Sequence, residues 1–218
     1  MPAPVQTVSE LRSLLAARFP ERARRPVGGV PAAVRPLDEA LGGGLPSGRL
    51  TELVSAVPSG GGQTVLAMLL GTTQASRQRI ALVDGSDAFA PGAVPEDMLR
   101  HLVWVRCRAP EQAFAVADIL VRDGNYAVVV LDLRGCAERV LRRVPATTWY
   151  RLRRAAEDSS AAILVQTQSP LVPAVASRLI LDTPLSLSDA GASRESVAGR
   201  LAVRTDRSQA QVPEELAG

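Results

Sequence analysis

Apolar and polar positions along the chain form two kinds of segment. The runs RLTELV, RIALVD, YAVVVLDL and AAILVQT are continuous enough and long enough for one buried strand each. Between them, apolar residues recur every three or four positions, as they do on the buried face of a helix. Strands that alternate with helices predict an α/β fold, with a mostly parallel central β-sheet flanked by helices. The predicted strands are 49–54, 79–84, 102–107, 126–133, 161–167, 177–183 and 199–205, and the predicted helices are 37–41, 64–73, 110–122 and 149–158.

A further amphipathic helix is predicted near the amino terminus, over residues 8–19. Ser9 is a suitable N-cap for this helix, and Pro20 ends it. The next segment, residues 21–36, is rich in proline, glycine and arginine, which is typical of a linker. We therefore expect a detached helix and linker over 1–36, an α/β core over 37–208 and a flexible tail over 209–218.

The stretch SAVPSGGGQTVLAMLL, residues 55–70, follows a predicted strand and leads into a predicted helix. A phosphate-binding loop occupies such a place and reads G-x-x-x-x-G-K-[ST], where lysine reaches the phosphates and the hydroxyl binds Mg²⁺. In this frame Gly61 stands at the lysine position and Gly62 at the hydroxyl position, and all 25 basic residues of the chain are arginine. Three interpretations remain open, which are a structural turn, a weak anion or nucleotide site, and an active ATPase site. The candidate nucleotide-binding residues are Ser59, Gly60, Gly61, Gly62 and Gln63, together with Gln166.

Three segments of the chain, in order and at similar spacing, resemble RecA recombinases. These are LDEALGGGLPSGRLTELV at 37–54, IALVDGSDAFAP at 80–91 and APEQAFAVADILVRDGNYAVVVLDL at 109–133. The resemblance covers residues 37–170 and implies a RecA-like core. It also implies that the glycine-rich stretch corresponds to the RecA phosphate-binding loop, in a form that has lost its lysine and its hydroxyl.

The resemblance also implies roles for three side chains. Asp132 corresponds to the aspartate that orients Mg²⁺, Glu111 to a catalytic glutamate, and Gln166 to a residue that senses the γ-phosphate. Two of them have a simpler explanation, because Asp132 ends a buried strand and Glu111 lies in the first turn of a helix. We treat Glu111 and Asp132 as vestigial and expect no catalytic residue and no bound metal or other cofactor.

Within the RecA-like proteins, the chain is most similar to ImuA, the short partner of ImuB in bacterial mutagenesis cassettes. Its small size, altered loop, VWVR strand and WYRLRRAAE helix carry this resemblance. It implies a non-catalytic role in SOS-induced error-prone translesion synthesis, through contacts with RecA, an ImuB-like Y-family polymerase homologue and an error-prone replicative-type polymerase. The alternatives are an active or weakly active DNA-dependent ATPase and a cell division inhibitor of the SulA type.

The amino-terminal helix is the predicted partner-binding element. A detached amphipathic helix can lay its apolar face on another protein, which includes a second copy of the same chain. The alternative is that the helix packs on its own core. The anchor side chains are Leu11, Leu14, Leu15 and Phe19.

Arginines are concentrated between residues 133 and 154. Such a basic stripe is typical of a phosphate-backbone contact, of a site for an acidic partner, or of a solvated helix face. With only 3% aromatic residues, the chain has few side chains for base stacking, so we expect weak DNA contact at most. The candidate contact residues are Arg139, Arg142, Arg143, Arg151, Arg153 and Arg154.

The remaining composition indicates a cytoplasmic protein. Cys107 and Cys136 are the two cysteines, and their spacing predicts neither a metal site nor a disulfide framework. His101 is the single histidine and suggests no catalytic constellation. The sequence has no apolar run of the roughly 20 residues that a membrane span needs and no apolar signal region, so we expect no membrane association.

Overall fold

The computed structural model of the chain describes residues 28–206, apart from Pro58, Ala174 and Thr183. The predicted helix at 8–19, with Leu11, Leu14, Leu15 and Phe19, lies outside the described residues, as does the predicted tail at 209–218. The strands are β1 (Gly29–Val30), β2 (Leu45–Pro46), β3 (Leu50–Ser55), β4 (Ile80–Asp84), β5 (Leu102–Arg106), β6 (Val128–Asp132), β7 (Ala162–Thr167), β8 (Ser177–Leu181) and β9 (Val203–Thr205). The helices are α1 (Arg35–Ala40), α2 (Gly62–Ala75), α3 (Glu96–Leu99), α4 (Pro110–Asp123), α5 (Glu138–Leu141), α6 (Ala146–Glu157) and α7 (Arg194–Gly199), with 3₁₀ turns at Pro91–Ala93 and Leu187–Gly191.

The central sheet has seven strands in the order β5-β4-β6-β7-β3-β8-β9. The first six strands pair in parallel, and β9 pairs with β8 in the antiparallel sense. This confirms the predicted α/β class with a mostly parallel sheet. The parallel strands β3, β4 and β6 are buried along their whole length, which explains why they read as continuous apolar runs.

Helices cover both faces of the sheet because successive side chains of each strand point to opposite faces. On one face, Leu53 and Leu82 join the core beneath α2. On the other face, Val83 and Ile163 pack with residues of α4 and α6. The two hydrophobic layers fix the strands relative to one another. The candidate site lies at the carboxyl ends of these strands.

The core begins before residue 37, which is earlier than the sequence predicts. Strand β1 pairs with β2, and Val30, Ala32 and Val34 are buried. The carboxylate of Asp38 accepts a hydrogen bond of 2.8 Å from the backbone N–H of Ala32, which fixes this segment on the domain. Residues 29–36 therefore belong to the core rather than to the predicted linker, because their small apolar side chains fill its edge.

The last predicted strand, GRLAVRT, is mostly not a strand. Gly199 ends helix α7, and only Val203–Thr205 is extended. Between them Leu201 turns inward and is buried. The sequence pattern alone did not distinguish a short helix followed by an inward leucine from a continuous strand.

Candidate functional site

The polar ends of three neighbouring strands meet at one edge of the sheet. Asp84 pairs in register with Asp132, and Asp132 pairs with Gln166. All three residues are buried. Because ligands of open α/β sheets bind beyond the carboxyl ends of the strands, this row marks the candidate site. The resemblance assigns Asp132, Gln166 and the glycine-rich loop to one nucleotide site, and the structure places all three at this edge of the sheet.

The glycine-rich loop, residues 59–62, leads directly into helix α2. Gly61 is the N-cap and has a φ of 90°, a left-handed conformation that glycine adopts without strain. The first intrahelical bond runs from the N–H of Val65 to the carbonyl of Gly61. Since no side chain caps this end within the described part of the chain, the N–H groups of the first turn face the adjacent cleft.

Leu201 closes the side of the loop on which a lysine would stand. A Cβ atom built on Gly61 would overlap the Cδ2 methyl of Leu201 and lie 3.1 Å from its Cδ1. Leu201 is only 2% exposed, so it has little room to move away. The loop is therefore adapted to glycine at this position by a residue far along the chain.

Arg134 fills the space beside Gly62. A Cβ atom built on Gly62 would overlap Nη1 of Arg134 and would lie 2.9 Å from Oγ of Ser55. The guanidinium thus approaches the backbone at the position where the common loop motif has a hydroxyl side chain. Glycine at position 62 is what permits this approach.

Asp132 holds Arg134 in place with a bidentate ion pair. The Nε and Nη2 atoms of Arg134 donate to the two oxygens of Asp132 over 2.9 and 2.6 Å. The backbone N–H of Arg134 also donates to Asp132, over 3.1 Å. The side chain of Asp132 is 2% exposed and that of Arg134 is 16% exposed, so the pair is largely shielded from water. The carboxylate that corresponds, by the resemblance, to a metal-orienting aspartate is engaged by this arginine.

Gln166 joins the loop to the neighbouring strand. Its Nε2 donates a hydrogen bond of 3.2 Å to the carbonyl of Gly62. Its Oε1 is buried and has no hydrogen-bond partner in the described residues. Gln166 therefore contacts the glycine-rich loop directly.

The cleft around the loop has a volume of about 410 Å³. Ser59, Gly60, Gly61, Gly62 and Gln63 all line it, and so does Arg134. In the sequence, Arg134 is only one member of a basic run, and nothing there places it at the loop. Its position two residues after the strand-ending aspartate, in a chain without lysine, was the available signal. The rest of the lining consists of Ser55, Val57, Thr64, Gln168 and Leu185.

Two other acids near the sheet edge have structural roles. The carboxylate of Asp84 accepts hydrogen bonds from the backbone of Ala88 and Phe89, over 3.0 and 2.9 Å, and so shapes the loop after β4. Glu111 is exposed in the first turn of α4, where an acid favours the positive end of the helix dipole. Glu111 does not line the cleft.

The thiol of Cys136 lies close to this acidic row. Burial, together with the negative charges of Asp132 and Asp84, raises the pKa of Cys136 from 9.0 to about 11. Its Sγ donates to the carbonyl of Gly85 over 3.3 Å. The thiol is therefore protonated at neutral pH and is a poor nucleophile. In the described residues, no group of three His, Cys, Asp or Glu side chains is arranged to hold a metal ion.

The basic stripe, which runs through α5, α6 and the segment between them, is largely neutralised by nearby acids. Arg142 donates to Glu138 over 2.7 Å, and Arg151 lies 3.9 Å from Asp118 of α4. Arg153 and Arg154 pair with acids at the end of α6, Glu157 and Asp158. Only Arg139 and Arg143 of the six candidates form no ion pair within the described part of the chain.

Beyond the candidate site, a buried ion pair fixes the segment that follows β7. Arg178 donates to Glu52 over 2.6 Å and to the carbonyl of Val172 over 2.7 Å. The same carboxylate accepts from the backbone N–H groups of Leu171 and Val172. Glu52 is fully buried, so this network ties the segment after β7 to the centre of the sheet.

The first half of the chain matches a known family. The model of the RecA N-terminal domain matches residues 16–138, which include the glycine-rich loop, Asp132 and Arg134. The chain belongs to the RecA family. Gln166 and Leu201 lie beyond the matched residues. Two side chains that contact the glycine-rich loop therefore come from the part of the chain that this family model does not match.

Curated relatives show the same limited extent of similarity. The RecA protein of Nocardia farcinica is 34% identical over 122 residues, and that of Frankia alni is 33% identical over 120 residues. The RecA protein of Rubrobacter xylanophilus is 34% identical over 120 residues. Each match covers 53% of this chain and 34% of the relative, so the chain spans about a third of the length of these RecA proteins.

A magnesium nucleotide does not fit the residues at this loop. Such a ligand needs a lysine on its phosphates, a loop hydroxyl on the metal and a carboxylate free to orient the metal. Here both loop positions are glycine, Leu201 stands against Gly61, and Asp132 is bonded to Arg134. The described helices are also too short or too polar to cross a membrane.

Proposed function

We propose that this protein is a non-catalytic member of the RecA family of the ImuA type. It acts in damage-induced, error-prone DNA synthesis by holding other proteins together, without ATP turnover. Its proposed partners are RecA, an ImuB-like polymerase homologue and an error-prone polymerase. The choice of partners rests on the resemblance to ImuA. The proposed absence of ATP turnover rests on the geometry around the glycine-rich loop.

The observation that carries the proposal is the position of Arg134. A guanidinium bonded to Asp132 and placed against Gly62 occupies the region where a metal-bound nucleotide would be held. Removing a single preorganised hydrogen-bond donor from an oxyanion hole typically costs about 10²–10³ in rate. This loop lacks the lysine, the hydroxyl and the free carboxylate together, which supports a role other than turnover.

The surface chemistry supports protein contact over DNA contact. Four of the six arginines proposed for contact with DNA or an acidic partner already pair with Glu or Asp side chains within the described residues. A phosphate backbone would have to compete with these acids, which weakens binding. We therefore assign contact with partners to the predicted helix at 8–19, through Leu11, Leu14, Leu15 and Phe19, rather than to the basic stripe.

A pull-down experiment with the full chain tests this proposal. The tagged protein is mixed with purified RecA and, separately, with the ImuB-like protein of the same organism. We expect retention of at least one of them, and loss of retention in the double variant Leu14→Asp, Phe19→Asp. The matched control is Leu187→Asp, because Leu187 is a 95% exposed leucine outside that helix. Retention of neither protein, or equal retention by all variants, contradicts the proposal.

A further inference from the structure

A second cleft lies at the opposite edge of the sheet from the glycine-rich loop. Its volume is about 510 Å³, and residues just before β4, β6 and β7 line it, where these parallel strands begin. The strands have five or six residues, so roughly 17–20 Å separates the two edges of the sheet. The lining is mostly polar and includes Arg77, Arg79, Asn125, Tyr126 and Ser160.

Two arginines give this cleft a positive charge. Arg77 and Arg79 both line it and are exposed, and neither side chain forms an ion pair or a hydrogen bond with another described residue. Arg49, which precedes β3 at the same edge, is a further exposed arginine without an acidic partner among those residues. Because like charges that share a cleft repel each other, an anion bound between them is favoured.

The backbone of Arg77 adopts a conformation that favours glycine. Arg77 follows the end of α2 with a φ of 56°. Its N–H donates to the carbonyl of Gln74 over 3.0 Å. The next N–H, that of Gln78, donates to the carbonyl of Thr73 over 2.8 Å. Glycine is the usual residue at the left-handed position of this helix end, so a bulky arginine there indicates a use for its side chain beyond the turn.

Backbone hydrogen bonds hold the walls of the cleft together. The N–H of Ala127 donates to the carbonyl of Arg79 over 2.9 Å, which ties the segment before β6 to the segment before β4. The N–H of Ala162 donates to the carbonyl of Ala127 over 2.9 Å. On another wall, Ser47 donates its N–H to the carbonyl of Gly28 over 3.1 Å. The cleft is therefore preformed, which lowers the entropic cost of binding.

The uncharged groups of the cleft suit a peptide better than a nucleic acid. The amides of Gln78 and Asn125 and the hydroxyl of Ser160 can each donate and accept hydrogen bonds, as a peptide backbone requires. Tyr126 is the only aromatic residue among the described residues that line the cleft, so bases have little surface on which to stack. The carboxylate of Asp123, 2.8 Å from Nδ2 of Asn125, adds a nearby negative charge that disfavours a chain of phosphates.

We propose that this cleft is a docking site for an acidic segment of a partner protein, whose carboxylates bind Arg77 and Arg79. A guanidinium group binds a carboxylate through two parallel hydrogen bonds, which gives the contact both charge and direction. Both arginines are exposed, so the contact is of modest strength and weakens as salt is added. The proposal is independent of the proposed role in error-prone DNA synthesis.

Titration of the full chain with a short fluorescent oligoglutamate peptide tests the proposal. A peptide of the same length with glutamine in place of glutamate is the neutral control. At low ionic strength we expect saturable binding with a Kd of about 100 μM or tighter, which weakens at physiological salt. Backbone amide shifts in NMR spectra should centre on residues 77–79 and 125–127. No saturable binding up to about 1 mM, equal binding of the glutamine peptide, or shifts centred elsewhere overturns the proposal.

Paired variants separate the cleft from general charge. The double variant Arg77→Gln, Arg79→Gln is expected to weaken peptide binding about tenfold or more, because it removes both charge-assisted donors. The matched control Arg139→Gln, Arg143→Gln removes two exposed arginines without ion pairs in the described part of the chain, and it should bind as the parent does. Undiminished binding in the first variant, or an equal loss in both, overturns the proposal.

The variant Arg77→Gly separates binding from folding. Glycine suits the left-handed backbone, so the midpoint of thermal unfolding should rise by about 2–4 °C while peptide binding weakens several-fold. This combination would show that the arginine is kept for its ligand at a cost in stability. A lower midpoint would assign Arg77 to the fold and overturn the proposal, as would unchanged binding.

Competition with single-stranded oligothymidine distinguishes a peptide site from a nucleic-acid site. At equal concentrations of negative charge, we expect the oligonucleotide to displace little of the bound peptide. Displacement at a lower concentration of charge, together with weaker oligonucleotide binding by the variant Arg77→Gln, Arg79→Gln, would assign the cleft to nucleic acid and overturn the proposal.

Discussion

Leu201 stands against the Cα of Gly61, on the side where a lysine side chain would leave the loop. This contact joins a residue two positions before β9 to the start of α2, and Leu201 is part of the buried core on that face of the sheet. Leu201 can therefore pack in this place only because residue 61 is glycine. Restoring the loop sequence alone does not restore the geometry of a working site.

The double variant Gly61→Lys, Gly62→Thr is expected to be destabilised and to show no ATP turnover. Overpacking against Leu201 and displacement of Arg134 should lower the free energy of unfolding by about 1–3 kcal/mol. The left-handed backbone of Gly61 adds strain for any side chain. Chemical denaturation measures the loss, and a phosphate-release assay measures activity.

Relief of that clash provides the control. Adding Leu201→Ala to the double variant should recover part of the loss, although the cavity it leaves has its own cost. A double variant as stable as the parent would show that Leu201 does not constrain position 61.

The buried pair of Glu52 and Arg178 is expected to dominate the stability of the segment after β7. Arg178→Met leaves a buried carboxylate without its cation, which should cost about 3–5 kcal/mol in the free energy of unfolding. The matched control is Arg204→Met, which removes an exposed pair with Asp182 and should cost less than about 1 kcal/mol. Equal losses in the two variants, measured by chemical denaturation, would contradict the assigned burial.

Stability should fall as the pH is lowered below 6.5, because of His101. Burial lowers the pKa of His101 below its ordinary value of 6.5, so the unfolded chain binds a proton more readily than the folded one. The contribution of His101 is thus fully present above pH 6.5 and is lost as the pH falls toward its folded pKa. Its Nε2 lies 2.9 Å from Oγ1 of the buried Thr73.

The free energy of unfolding at pH 7.5 and at pH 5.5 checks this expectation. Because His101 is the single histidine of the chain, the variant His101→Gln should flatten the slope between these values. An unchanged slope in the variant would assign the pH dependence to other groups.

The strands of the sheet could be predicted from the sequence, but the tertiary contacts at the glycine-rich loop could not. Continuous apolar runs such as 128–132 predict buried parallel strands because both faces of each strand are covered. The row of Asp132 and Gln166 followed from the strand ends. The contact of Arg134 with Gly62, and that of Leu201 with Gly61, are tertiary and leave no local pattern.

The first and last segments of the core were also poorly predicted from the sequence. Gly28 and Gly29 resemble linker residues by composition, yet Gly29 lies in β1, and Val30, Ala32 and Val34 after it are buried. Leu201 lies in a stretch whose β-branched neighbours predicted a strand, whereas Gly199 ends a helix. Composition describes such segments poorly because packing against the core, rather than local propensity, decides their conformation.

Phosphate release from ATP, with and without single-stranded DNA, tests the central claim most directly. The parent protein is compared with Asp132→Ala at equal concentration in the presence of Mg²⁺. Because we propose that the protein does not turn over ATP, we expect phosphate release at the background level for both proteins, with no stimulation by DNA. Saturable, DNA-stimulated release by the parent that disappears in Asp132→Ala would contradict the account and identify a working ATPase.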